Sequence, residues 1–186
     1  MGGKLLLRRP IIKLQFILMG FGFIMDGFFR CFVYLTSLGM LAFFAGRIIP
    51  KSWINPDIFP YKTFQFENDG RIYELFGVRE WQSKVLDMSK ILPKFIPQKK
   101  LDNKLQDTLP LMIKETCIAE LIHWILFVPV FYCLTLWEGM GGVIIVTLYE
   151  LFNIPYIMIQ RYNRPRLINT LNRMEKRNNS AMHAAA

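Results

Sequence analysis

The length of its apolar runs limits this chain more than any other feature. Leu14 to Gly46 is 33 residues broken by only two charges, Asp26 and Arg30. As one straight helix the run would be about 50 Å long, against a hydrocarbon core of about 30 Å. It fits either one long helix that protrudes from a bilayer, or two short segments broken near Asp26-Gly27 as in a re-entrant hairpin. On a continuous helix Asp26 and Arg30, four apart, share a face and can pair. The run is too long for a cleaved secretion signal, and no small-residue cleavage site follows a short core.

A second apolar block follows later. Thr116 to Trp137 is 22 residues with Glu120 and His123 as its polar exceptions. Glu138-Gly139-Met140-Gly141-Gly142 reads as a turn. A run of similar length then continues to Gln160, with Glu150 charged and Pro155 a kink point. This predicts an all-α integral membrane protein: a transmembrane helical hairpin, one long or broken N-terminal membrane segment, and a small cytoplasmic or interfacial cap. A mean hydropathy of +0.26 with 53% hydrophobic residues argues against a soluble enzyme, a disordered chain, a coiled coil or a collagen-like chain. The expected boundaries are 1–46 for the basic start and membrane segment, 47–114 for the cap, 115–160 for the hairpin and 161–186 for a basic tail.

The cap carries 12 Lys/Arg and eight Asp/Glu, and the tail six Lys/Arg and one acid. Glu67-Asn68-Asp69-Gly70 reads as a turn. Val78, Trp81, Val85, Met88 and Leu92 recur at helical steps beside Arg79, Lys84 and Lys90, which predicts an amphipathic helix at the membrane surface. The net charge of +9 sits beside apolar segments, so anionic lipid explains it better than nucleic acid does. A basic start and a basic tail are both cytoplasmic only after an even number of crossings, which favours a broken first region and four membrane-entering segments.

The hairpin gathers chemistry. Glu120 and His123, three apart, share a helix face. The returning helix brings Asn153 to similar depth and ends in Gln160-Arg161-Tyr162-Asn163-Arg164-Pro165-Arg166. A carboxylate inside a membrane helix costs about 2.5–3.5 kcal/mol, which favours a working role over simple anchorage. The alternative is a polar pair that only ties helices together. Glu120-x-x-His123 with Glu115 makes a poor metal site, so none is expected. Cys31, Cys117 and Cys133 lie in apolar runs and read as packing. His183 lies in a tail set aside from fold reasoning.

Three stretches together resemble the glycosyl-4,4'-diaponeurosporenoate acyltransferase family. They are Ile113-Lys114-Glu115-Thr116 with Ala119-Glu120-Leu121-Ile122-His123-Trp124, then Asn153-Ile154-Pro155 with the Gln160 to Leu167 run, and Phe64-Gln65-Phe66-Glu67, Gly70, Val78-Arg79-Glu80-Trp81 and Lys84-Val85-Leu86-Asp87. The resemblance runs from about Arg47 to Leu171, and Leu14 to Gly27 is extra to it. It implies a membrane enzyme that esterifies a sugar hydroxyl of a glycosylated carotenoid. No bound cofactor is implied, and an acyl thioester (acyl-CoA or acyl carrier protein) is the co-substrate. On that reading His123 is the base and Glu120 orients it. Arg161, Asn163, Arg164, Asn153 and Arg79 contact substrate, and Trp124 and Trp81 stack on the sugar. The expected partners are the bilayer of a bacterial cell, an acyl donor and a glycolipid acceptor, with self-association left open. The competing readings are another lipid-modifying membrane enzyme and a non-catalytic membrane subunit.

Overall fold

The first apolar run folds into one uninterrupted helix, Gly3–Ile48. No proline lies between Leu14 and Gly46, and single glycines cost a helix only about 1 kcal/mol each. The helix stops just before Pro50, whose ring disfavours helical backbone in its predecessor. Of the two readings, one long helix or a break at Asp26-Gly27, the structure shows the first. Asp26 accepts an ion pair from Arg30 Nη2 at 2.7 Å across one intact turn. The structure, a computed structural model, describes residues 3–85 and 105–185, with side chains at 19–85, 108–180 and 182–183.

Among the described residues, three helical stretches are long and apolar enough to cross a membrane: Met19–Ile48, Thr108–Leu136 and Met140–Ser180. This corrects the expectation of four membrane-entering segments. The central stretch is not one helix. Leu105–Leu126 is α-helical, Pro129–Tyr132 tightens to a 3-10 turn, and Cys133–Leu136 adds one helical turn. Pro129 has no N–H to give the ladder, so the helix cannot pass through it unchanged. The C-terminal helix, Met140–Ala185, continues through Pro155 and Pro165.

Between the first two stretches the chain is a series of short turns: Lys51–Trp53, Gln65–Glu67, Arg71–Glu74, Val78–Trp81 and Gln82–Lys84. The expected amphipathic helix is therefore corrected over its described part. One α-turn passes into one 3-10 turn, and Val85 is extended. A segment that buries only Val78 offers too little packing to sustain a longer helix. Met88, Lys90 and Leu92 lie outside the described residues, as do Leu86 and Asp87. No strand occurs among the described residues.

The chain divides into two compact units. One joins residues 1–44 with 125–152. Its core is Cys31, Val130, Cys133 and Val146, flanked by Tyr34, Leu35, Trp137 and Tyr149. The Tyr34 hydroxyl donates to the Pro129 carbonyl at 2.8 Å. The Cys31 thiol lies 3.7 Å from the Cys133 carbonyl, so both cysteines serve as packing. The other unit joins 45–124 with 153–186 and is built on Ile54, Tyr61, Cys117 and Ile118. It contains every polar residue of the candidate site.

At Gly142 the hairpin turn leaves no room for a side chain beside neighbouring backbone. A Cβ on Gly142 would collide with the Trp137 carbonyl and sit 3.1 Å from that of Cys133. Both obstacles are backbone, so relief requires the turn to move. Gly142→Ala is expected to lower stability by about 1–3 kcal/mol. Thermal unfolding in detergent measures this, and an unchanged melting temperature would show that the turn yields freely.

Candidate functional site

Two carboxylates and two guanidiniums form the centre of the second unit. Glu67, Glu120, Arg161 and Arg164 are all buried. Arg161 and Arg164 are three apart on the C-terminal helix and so share a face. Arg161 bridges both acids. Its Nε and Nη2 donate to Glu67 at 2.5 and 2.8 Å, and its Nη1 donates to Glu120 at 2.5 Å. Nη1 and Nη2 also reach the carbonyls of Pro60 and Lys62, at 3.0 and 3.3 Å. Arg164 Nη2 donates to the other Glu120 oxygen. Its Nη1 donates to the Tyr61 carbonyl at 2.6 Å, and its Nε to the Thr116 hydroxyl at 2.9 Å. The guanidiniums also lie over the Phe64 and Tyr61 rings, 4.8 and 5.7 Å from the centroids.

The two charges of each sign cancel, and every guanidinium nitrogen has an acceptor. Low dielectric strengthens such a network when it is complete and penalises it when one member is missing. Glu67 arrives through a left-handed turn, Asn68 at φ 46°, Asp69 at 53° and Gly70 at 82°. A Cβ on Gly70 would meet the Arg161 and Tyr162 carbonyls at 3.2 and 3.3 Å, so the turn can rest on that helix only as glycine. Glu67 further accepts from the Tyr73 hydroxyl at 2.5 Å and the Phe64 N–H at 2.8 Å.

Burial alone would raise the Glu67 carboxyl. Hydrogen bonds from Arg161, Tyr73 and Phe64 outweigh it and hold the group below its ordinary 4.5. Burial first, and then the Glu67 carboxylate, push the Tyr73 hydroxyl upward. Neither group changes charge near neutral pH.

The structure gives three of the expected site residues partners within the protein. Glu120 was expected to orient His123, but its oxygens accept from Arg161, Arg164 and, at 3.3 Å, Trp124 Nε1. Arg161 and Arg164 were expected to meet substrate, but their donors are consumed inside the protein. The reason is electrostatic: a buried carboxylate gains more from two guanidiniums than from one neutral imidazole.

His123 has a different partner. Its Nδ1 lies 2.9 Å from Asn153 Oδ1, and its ring stacks on Tyr156 at 4.7 Å between centroids and 11° between planes. Asn153 and Tyr156 are three apart on the C-terminal helix, so one helix face fixes both the tilt and the rotation of the imidazole. In the tautomer protonated on Nδ1, this contact is a hydrogen bond to Asn153 Oδ1 and Nε2 keeps its lone pair. The ring is partly exposed.

The remaining expected residues are spread around this centre. Asn163 donates to Gln82 Oε1 at 3.0 Å, and Trp81 Nε1 to the Phe76 carbonyl at 2.8 Å. Arg79 is exposed on the short helical turn, and Trp124 is about half exposed. Arg166 pairs with Glu74 and covers the Tyr162 ring. Beside Arg164 is an open cleft of about 190 Å³ lined by Asp57, Tyr61, Lys62, Asp69 and Asn169 among others. Glu67, Tyr73, Thr116 and Tyr156 had no role assigned from sequence. Glu67 stood in one of the stretches that carry the family resemblance, without a role.

Residues 50–173 match the glycosyl-4,4'-diaponeurosporenoate acyltransferase family. Curated proteins of that name from Staphylococcus aureus are similar to the chain. Those of strains N315 and USA300 are 32% identical over 152 residues, and that of strain MRSA252 is 33% identical. Each alignment covers 80% of this chain and 90% of the relative. No solved structure matches the chain.

The pairing of Glu67 makes stability pH-dependent. Because its folded carboxyl lies below 4.5, its contribution is complete above that pH and is lost as pH falls through the folded value. Glu67→Gln is expected to flatten the acid side of a plot of melting temperature against pH. Glu120→Gln, which removes the charge shared by both arginines, is expected to cost about 3–5 kcal/mol. Denaturation in detergent measures it, and near-normal stability would show that the arginines find other partners.

Proposed function

The chain belongs to the glycosyl-4,4'-diaponeurosporenoate acyltransferase family, and from that membership we propose that it moves a fatty acyl group from a thioester to a hydroxyl of a lipid-linked sugar. The acceptor class is a glycosylated carotenoid-like lipid. The donor is acyl-CoA or an acylated carrier protein, and no resident cofactor takes part. The observation that carries the mechanism is the His123 imidazole, held by Asn153 on one nitrogen and flattened against Tyr156.

His123 Nε2 takes the proton of the attacking hydroxyl as its oxygen bonds to the thioester carbon. Collapse of the tetrahedral intermediate breaks the C–S bond, and the proton passes from Nε2 to the departing thiolate. Asn153 stabilises the imidazolium through the Nδ1 hydrogen bond, the part an acid takes in a hydrolase triad. Glu120, Arg161 and Arg164 hold the two helices in the register that brings His123 to Asn153. Trp124, Trp81, Asn163 and Arg79 remain candidates for contact with the sugar or the donor.

The setting is the plasma membrane of a bacterium, crossed three times. The polar region before the central helix and the tail then share one side, as the Glu67–Arg161 pair requires. Those two segments carry 12 and six Lys/Arg against four before Leu14, so their side is cytoplasmic, where acyl thioesters are made.

Purified protein in nanodiscs, given labelled acyl-CoA and a glycosylated carotenoid, is expected to yield an acceptor heavier by one acyl group. His123→Ala is expected to lose about 10²–10⁴-fold in turnover with its melting temperature unchanged. Asn153→Ala is expected to lose less, in kcat rather than KM, because it positions the base without touching substrate. Full activity of His123→Ala would remove the mechanism. An acylated product on some other lipid would keep the reaction and replace the acceptor.

A further inference from the structure

The region between the first and central helices is not polar throughout. From Ile58 to Phe66 it reads Ile-Phe-Pro-Tyr-Lys-Thr-Phe-Gln-Phe, with Lys62 as its one charge. Ile58, Phe59, Phe64 and Phe66 are exposed, Phe59 by 78% and Phe66 by 68%. The rings form one patch. Phe59 and Phe64 meet edge to face with centroids 6.3 Å apart, and Phe64 and Phe66 stack at 5.4 Å. A contiguous apolar surface on an otherwise charged segment marks a place of contact.

The level of this patch follows from the helix to which it is pinned. Along the C-terminal helix, Met140 to Ile159 is 20 residues, about 30 Å, the thickness of a hydrocarbon core, and Gln160-Arg161 opens the polar stretch. The carbonyls of Pro60 and Lys62 accept from Arg161, and that of Tyr61 accepts from Arg164. A helical side chain leans towards the N-terminus of its own helix, here towards the membrane interior. The Arg161 guanidinium, with the Phe64 ring 4.8 Å away, is therefore drawn back to the edge of the hydrocarbon. The backbone is prepared for that layer. Besides the three carbonyls on the arginines, Ile58 O accepts from the N–H groups of Tyr61 and Lys62, Phe64 O from that of Glu67, and Gln65 O from that of Asn68. The Phe64 N–H donates to Glu67. Non-helical backbone enters a low-dielectric layer only when its polar groups are met within the protein.

We infer that Ile58 to Phe66 is an aromatic wedge seated in the membrane, at the boundary of headgroups and acyl chains, and that lipid is what covers it. On the topology proposed above this is the cytoplasmic leaflet. The level of the rings and the internally bonded backbone select that occupant, because aromatic side chains gather in this layer. Lys62 is exposed, and its stem can follow the rings while its ammonium reaches the lipid phosphates. Glu67, directly after the wedge, is clamped by Arg161, so the wedge is a fixed part of the fold.

Nitroxide labelling of the full chain in phosphatidylglycerol liposomes tests this, because the native Cys31, Cys117 and Cys133 are buried. A nitroxide on Phe59→Cys or Phe66→Cys is expected to collide more often with oxygen, which concentrates among acyl chains, than with a water-soluble nickel complex. On Asn172→Cys, exposed on the C-terminal helix about 16 Å past Arg161, the order is expected to reverse. Both aromatic variants are expected to keep their melting temperature, since the replaced rings are largely exposed. A preference for nickel at either position would put the loop in water, and shielding from both reagents would put protein over it. Either result overturns the inference.

Discussion

A four-charge cluster holds the polar half of this protein together. Two guanidiniums from one helix meet carboxylates from two other segments, one on the central helix and one on a loop. Each acid alone would be an expensive group beside an apolar core, and each arginine would be worse. Together they are neutral, and each guanidinium nitrogen is met by an oxygen. Loop, central helix and C-terminal helix are thereby fixed to one another by bonds with strict geometry, where apolar packing would tolerate sliding.

That rigidity separates two tasks which the sequence places side by side. Glu120 and His123 are neighbours on one helix face, yet they serve different partners. The acid is spent on cohesion. The imidazole, one turn further along, is held by a neutral amide and an aromatic plane. A neutral orienting partner leaves the basicity of the ring to be set by its surroundings and not by an adjacent full charge. Family membership supplies the reaction class, and the proposed role of the imidazole rests on how Asn153 and Tyr156 hold it.

Fold class was legible because membrane helices are written in composition and length, which are local quantities. The hairpin, its glycine turn and the all-helical character followed from runs and breaks. Continuity of the first helix was one of two readings left open by the sequence, and the folded chain takes it, with Arg30 paired to Asp26 across an intact turn. Proximity of Asn153 to His123 could be reckoned from helical rise. The capture of Arg161 by Glu67 could not, since 94 residues separate them and only the folded loop brings them together. Residues were therefore found more readily than their roles, which depend on partners distant in sequence.

The order in which the network is synthesised has a consequence for biogenesis. Glu120 leaves the ribosome 41 residues before Arg161, and Glu67 leaves 94 residues before it. For that interval both acids lack their counter-ions. A buried carboxylate without its counter-ion is costly, so the final packing around Glu120 requires the helix that carries Arg161 and Arg164.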